Sequence, residues 1–307
     1  MVVMLTRVCA VISLAVAACS FSPSGTAAGD GDAAIDRDSA PSGDAGCAAT
    51  CDQHASCVGS ACVCSEGWTG DGVSCADVDE CATSNGGCAQ RCADRDGGFT
   101  CYAPASCAEL RAQEPEAGDD EVTLYANDAP WTAICEDMAT APATYLKLPA
   151  DNVNYAQYTR GGVVRTSFTA VRIDPAALRI DIDDLLHATS TGSVSHSGTP
   201  VIAMPFGVAM DCGGQNSATG SASVDLTETP FAVANPTLGA GFTRGGNSNS
   251  GSVTSVPGFD DQLIVITGGG NCGWVAPTQT PTAGYFNPFN PPQTAPAFTH
   301  ILQLTRR

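Results

Sequence analysis

The C-terminal part of the chain places its apolar residues with a period of two. Leu178, Ile180 and Ile182 alternate with Arg179, Asp181 and Asp183, and Ala222, Val224 and Leu226 alternate with Ser223 and Asp225. Alternation of this kind predicts strands with one face buried and one wet. Leu263 to Ile266 is instead an unbroken apolar run closed by Gly268-Gly269-Gly270, which predicts a central strand buried on both faces. Ser106-Cys107-Ala108-Glu109 has the form of a capping box and predicts a short helix that stops before Pro115. From Pro277 onward Pro, Asn and Thr dominate, and this tail reads as irregular cover. At the other end, Val8 to Ala18 is apolar behind Arg7. That run is too short to span a bilayer as a helix and reads as a leader, residues 1–18. Residues 19–46 are small, polar and acidic, unable to bury enough surface to fold, and read as a flexible tether. Val201 to Met210 is apolar but short and broken by Pro205, so it is not read as a membrane span.

Residues 47–102 follow neither period. The stretch has almost no large apolar residues, and cysteines fall through it as C-x3-C-x5-C-x4-C-x-C-x10-C, at Cys47, Cys51, Cys57, Cys62, Cys64 and Cys75. Without a core, such a segment needs covalent staples. Sixteen cysteines in all place the mature protein in an oxidising space outside the cytoplasm. Aromatic residues are 6% of the chain, with 33 Gly and 19 Pro, a turn-rich composition that points to a mainly β fold. The net charge is −19, from 13 basic against 32 acidic residues. This balance argues against nucleic acid or anionic lipid as partners and suits a protein that binds divalent cations.

The cysteine spacing, with Glu66-Gly67-Trp68-Thr69-Gly70-Asp71-Gly72 inside its last gap, resembles an EGF-like module over residues 47–75. The spacing alone leaves many pairings open; the resemblance implies Cys47–Cys57, Cys51–Cys62 and Cys64–Cys75. Asp77-Val78-Asp79-Glu80-Cys81 then resembles the start of the calcium-binding variant of the same family, residues 77–102. Here the resemblance implies Cys81–Cys92 and Cys88–Cys101. The expected fifth cysteine falls on Ala103, so this second module is read as truncated and leaning on the segment C-terminal to it. The same resemblance implies a Ca²⁺ site formed by the side chains of Asp77, Glu80 and Asp94 with the carbonyls of Val78, Arg95 and Gly98. Hard oxygen donors of this mix suit calcium. An acidic, solvated linker that binds nothing is the competing reading of the same residues.

Residues 103–307 carry Tyr145-Leu146-Lys147-Leu148-Pro149, Asn154-Tyr155-Ala156, Phe168 with Val171-Arg172-Ile173-Asp174, Pro205 to Cys212, Ser223 to Thr227 with Thr229-Pro230-Phe231, and Cys272-Gly273. With these motifs the segment resembles a GON domain, the module that closes some ADAMTS-type metalloproteases and also occurs in proteins with no protease unit; the resemblance covers roughly 107–281. The opening from Cys107-Ala108-Glu109-Leu110 to Cys135-Glu136-Asp137-Met138 is similar to the start of fibrinogen-type domains, which implies a Cys107–Cys135 bridge. Cys212–Cys272 then uses the last two cysteines after the leader apart from Cys19. Val16-Ala17-Ala18-Cys19 resembles the bacterial lipobox, which implies a lipid anchor on Cys19. An ordinary secretory leader with an incidental cysteine is the other reading.

The expected fold is therefore mainly β: two small disulfide-rich EGF-like modules and a larger β-rich GON-like domain. The expected function is that of an exported, outer-membrane or secreted binding protein whose partner is an extracellular protein or glycan, with no nucleic acid and with membrane contact only through the lipid. A metalloprotease-related or protease-accessory role is the alternative. No catalytic residues are assigned. The four histidines, His54, His187, His196 and His300, make no H-E-x-x-H, and no G-x-S-x-G elbow is present. Asp181-Ile182-Asp183-Asp184 is read as the exposed face and exit turn of a strand rather than a metal site, and Trp274 as packing on the Cys272 bridge. Gly268-Gly269-Gly270 is not read as a phosphate loop, because no lysine or helix-forming segment follows it.

Overall fold

The computed structural model describes residues 46–307 apart from 48, 150–152, 214–219, 247–249, 278–289 and 292–295. The expected leader, Cys19 and nearly all of the tether lie outside the described residues. The rest is mainly β with one α-helix: a disulfide-rich N-terminal region followed by a larger β domain.

The N-terminal region repeats one device. Hairpin Ala55–Val58/Ala61–Cys64 pairs Cys57 with Cys62, and hairpin Arg91–Arg95/Gly98–Tyr102 pairs Cys92 with Cys101. In each hairpin the two facing cysteines bridge back to an earlier segment, through Cys47–Cys57 and Cys51–Cys62 in the first and Cys81–Cys92 and Cys88–Cys101 in the second. The first unit adds hairpin Trp68–Gly70/Cys75–Asp77, stapled by Cys64–Cys75. No equivalent hairpin follows the second unit. Its place is taken by the helix Cys107–Gln113. Arg91 grips the carboxylate of Glu114 at 2.9 Å through Nη2, Tyr102 donates its hydroxyl to the same group, and Arg95 donates to Gln113 Oε1 at 2.8 Å. The capping box forms in a shifted version. Ser106 Oγ accepts from the Glu109 amide at 3.2 Å, while Glu109 reaches back to the amide of Ala105, one residue before the cap.

Two large sheets and the small hairpin Val194–His196/Thr199–Val201 make the larger domain. The first has seven strands in the order Phe231–Val233, Ile301–Arg306, Arg179–Asp181, Ala170–Asp174, Ala143–Lys147, Ala129–Glu136, Asp120–Ala126. The second has nine strands and forks at Tyr155–Thr159. One edge of that strand pairs with Val163–Phe168. The other edge is split, with residues 155–156 pairing Gly220–Asp225 and residues 157–159 running parallel to Ala209–Asp211. The two branches then cross at close range. A Cβ on Gly220 would sit 2.0 Å from the Met210 carbonyl oxygen, and one on Gly268, its cross-strand partner, 2.0 Å from that of Ala209. Only glycine admits this approach, which curls the sheet toward a barrel. Inward side chains of both sheets join one apolar cluster that runs from Cys107 to Leu304, with Phe168 edge-on to Phe206 at 5.1 Å and Trp131 to Phe231 at 5.4 Å. Cys107–Cys135 and Cys212–Cys272 complete seven bridges among the described residues; six are the pairs that the resemblances implied and Cys212–Cys272 is the pair left by elimination. Among the described residues no helix is long and apolar enough to cross a membrane.

Gly220–Asp225 alternates buried and half-buried as its pattern predicts. Three other expectations are corrected. Leu263–Gly269 is not buried on both faces: Ile264 and Ile266 point into the core while Val265 is 41% exposed, because the strand beyond it, Ser250–Ser255, is an edge and nothing among the described residues covers the outer face. The tail is not only irregular cover, since Ile301–Arg306 inserts between Arg179–Asp181 and Phe231–Val233 as an interior strand. Asp181 and Asp183 are not an exposed face. They are 4% and 7% exposed because that tail lies across them, with the Phe298 amide donating to Asp181 at 2.7 Å and His300 Nδ1 meeting Asp183 at 2.5 Å.

Candidate functional site

The expected calcium ligands converge on the joint between the two N-terminal units. Strand Cys75–Asp77 ends the first unit, and the next amide, Val78, donates to the Gly67 carbonyl at 2.9 Å. Asp77 Oδ1 accepts from the Gly97 amide, in the turn of the second unit's hairpin, at 2.6 Å. The units touch through glycine. A Cβ on Gly67 would fall 2.5 Å from the Gly97 oxygen, and one on Gly97 would fall 2.7 Å from Trp68 Nε1. Both glycines hold positive φ, 82° and 75°, conformations that favour glycine. His54 stacks on the Trp68 ring at 3.6 Å, so the first unit presents a stiff aromatic wall to the joint.

Asp79 caps the 3₁₀ turn Glu80–Ala82, accepting from the Ala82 amide at 3.0 Å. One oxygen each of Asp79 and Asp94 and the sulfur of Cys81 lie within 4.8 Å of one another. Cys81 is held in its bridge, so the meaningful pair is the two carboxylates. In the turn that Asp79 caps, Glu80 Oε2 is closed off from solvent and has no hydrogen-bond partner in the protein. A shielded carboxylate oxygen left unpaired is costly; a hard cation beside two further carboxylates removes that cost. On this observation the residues fit calcium. Asp79 is the member that sequence reasoning missed. Its signal was its place two residues after Asp77 in the same acidic run. Arg95, whose carbonyl is in the expected set, sends its guanidinium to Gln113 at the helix at 2.8 Å and to the Asp94 carbonyl at 3.0 Å. Arg95 and Gly98 face each other across the turn that carries Gly97.

The other ionisable groups hold structure together. Burial, then the bond to Glu114, pushes the Tyr102 phenol up to about 12. Tyr145 donates to Asp184 at 3.0 Å, and burial followed by the Asp184 charge raises its pKa. His187 lies 3.2 Å from Glu136 and edge-on to the Tyr145 ring. His196 meets the Tyr158 hydroxyl at 2.8 Å, and burial followed by the nearby Arg160 charge lowers its pKa. The Trp274 ring lies over Gly245, where a Cβ would come within 1.9 Å of it, and Trp274, Cys212 and Cys272 all pack against the same apolar cluster. A groove of about 240 Å³ between the start of the helix and Arg172–Ala176 falls below the ~300–1,000 Å³ of small-molecule sites.

Residues 159–283 match the family model of the GON domain. No curated protein and no solved structure matches the chain. The match holds most of the nine-stranded sheet, but the apolar cluster continues outside it on both sides, to Cys107 and to Leu304. The folded unit that carries the GON domain is therefore larger than the domain itself.

Proposed function

We propose that the chain is an exported surface protein in which two EGF-like modules, stiffened by calcium at their joint, form a spacer that presents the GON domain as a binding module. The partner is an extracellular protein or glycan, and Cys19 carries the lipid anchor. The reading is of a binding protein, not an enzyme. The observations that support it best are the unpartnered Glu80 oxygen in the turn capped by Asp79 and the approach of an Asp79 oxygen to one of Asp94, next to a joint where the units meet through Gly67 and Gly97. Bound there, calcium would be held by these carboxylates together with Asp77, and would supply charge neutralisation that locks one unit against the next. The clamp of Arg91 and Tyr102 on Glu114 extends the same stiffness to the larger domain.

Titrating the mature chain with calcium chloride while following unfolding of the N-terminal region tests this. Affinity in the range of roughly 10⁻⁴–10⁻³ M is expected, as for other extracellular modules, with a rise in melting temperature that Asp94→Ala abolishes. An equal rise in the variant, or none in the parent chain, would refute the site. The intact mass of the mature N-terminus tests the anchor, which an unmodified cleavage product would exclude.

A further inference from the structure

The outer face of the nine-stranded sheet differs in chemistry from the rest of this acidic protein. Cross-strand pairing sets one row of outward positions across six strands: Thr189, Ser167, Tyr155, Ser223, Val265 and Thr254. At the strand spacing of ~4.8 Å the row is roughly 24 Å long. A second row, two residues along each strand, includes Arg165, Ser221, Thr267 and Ser252. The chain has 32 acidic residues, yet the six-residue row carries no carboxylate and neither do these four positions. Outward strand positions are where polar and charged side chains are normally placed, so two rows whose named positions hold hydroxyls, one valine and a single cation, Arg165, are informative.

The two rows are ordered among themselves. The Arg165 guanidinium lies 3.4 Å from the centre of the Tyr155 ring, making a rigid planar platform in the middle of the face. Tyr155 OH meets Ser221 Oγ at 3.4 Å, and Ser252 Oγ meets Thr267 Oγ1 at 2.9 Å. An array of hydroxyls held by one another, with donors fixed around an aromatic plate, loses little entropy when a partner arrives. Val265 is the one exposed large apolar side chain in the six-residue row, and Val163 stands at the outward position two residues beyond Arg165, so the apolar anchors on which protein partners depend are few and scattered on this face.

We infer that this face binds an uncharged polysaccharide, whose hydroxyls exchange hydrogen bonds with the Ser/Thr rows while the chain lies across the Tyr155–Arg165 plate. The inference rests on reading the GON domain as a binding module and names the chemistry of its ligand. Charge favours that occupant. The two rows offer cationic chains no counter-charge, Asp225 at the outward position two residues beyond Ser223 is held by the Thr227 amide and hydroxyl, and a protein of net charge −19 repels anionic chains at long range.

The test is native affinity electrophoresis of the mature chain in gels containing soluble xylan, galactomannan, hydroxyethylcellulose or dextran, with alginate and heparin as anionic probes. Retardation by at least one neutral polysaccharide is expected. Tyr155→Ala should weaken it at least tenfold, and so should Val265→Asp, which puts a carboxylate in the middle of the row at an exposed position and leaves the melting temperature unchanged. Retardation by the anionic probes alone, by none of the probes, or equally in parent and Val265→Asp chains would overturn the inference. Those outcomes leave the spacer reading to the calcium titration, which does not involve this face.

Discussion

Between Cys47 and Tyr102, five disulfides join residues 10 to 13 apart, and Ala93 is the sole apolar side chain fully out of solvent among the described residues there. From Cys107 to Leu304, two disulfides accompany a continuous apolar cluster drawn from two sheets. The first region limits the freedom of its unfolded chain; the second removes apolar surface from water. One polypeptide thus carries two different answers to the entropy of folding, and each predicts its own way to fail.

The largest difference should follow reduction. In the chain-entropy model a loop of this size contributes roughly 3 kcal/mol per bridge, and the N-terminal region has nothing buried to replace it. A phosphine reductant should abolish hydrogen-exchange protection throughout residues 47–102 and leave the core strands of the larger domain protected. Loss of protection in both regions together would erase the distinction. The converse probe is Phe206→Ala. Its ring is fully buried against Phe168, so about 3–5 kcal/mol should be lost from the larger domain, seen in denaturant melts, with the N-terminal bridges still closed to alkylation. A smaller effect is expected where the two regions meet. Arg91→Met removes the grip on Glu114, a pair about a third exposed on each side, and should cost at most about 1 kcal/mol. Its readout is faster exchange in the hairpin Arg91–Tyr102, with strands beyond Asp120 unchanged.

The smallest effect is a pH slope. Burial holds the carboxyls of Asp181 and Asp183 above the usual aspartate range, although amide donors from Phe298 and Asp183 pull the first back and His300 the second. Folded values above the unfolded one mean that folding takes up protons. This contribution is complete below the unfolded value of 3.8 and is lost as pH rises through the folded values. The melting temperature of the larger domain should therefore decline as pH rises above the unfolded value of 3.8, and Asp181→Asn should flatten the decline. The N-terminal region, melted separately, should not share that slope.

These two aspartates also mark where the sequence was hard to read. Alternation from Leu178 to Asp183 predicted a wet face, but the residues that dry it, Phe298 and His300, lie 117 positions away from their partners. No window on local periodicity reaches that far. The same tail hid its own strand, because Ile301–Arg306 comes after a stretch whose Pro and Asn content reads as loop. The Leu263–Ile266 run misled in the opposite direction: apolar on both sides, it suggested double burial, yet Val265 faces outward next to an edge strand. Where the determinants are local, the pattern was legible. The alternation at Ala222, Val224 and Leu226, and the helix opened by Ser106, both needed no distant partner. At the joint, the acidic run was readable, but the closeness of Asp79 to Asp94 depends on how the Cys81–Cys92 bridge folds the second unit back on itself.

The placement of Ile301–Arg306 has a consequence in time. Arg179–Asp181 and Phe231–Val233 are neighbours only through that strand, so during synthesis they stay apart until residue 306 has emerged. Until then the sheet stands open along two unpaired edges, each a template for another unfinished chain. Pairings that span more than a hundred residues also slow closure. A nascent molecule of this kind needs a holding factor during the interval, and faster chain delivery should raise the yield of native protein over that of aggregates.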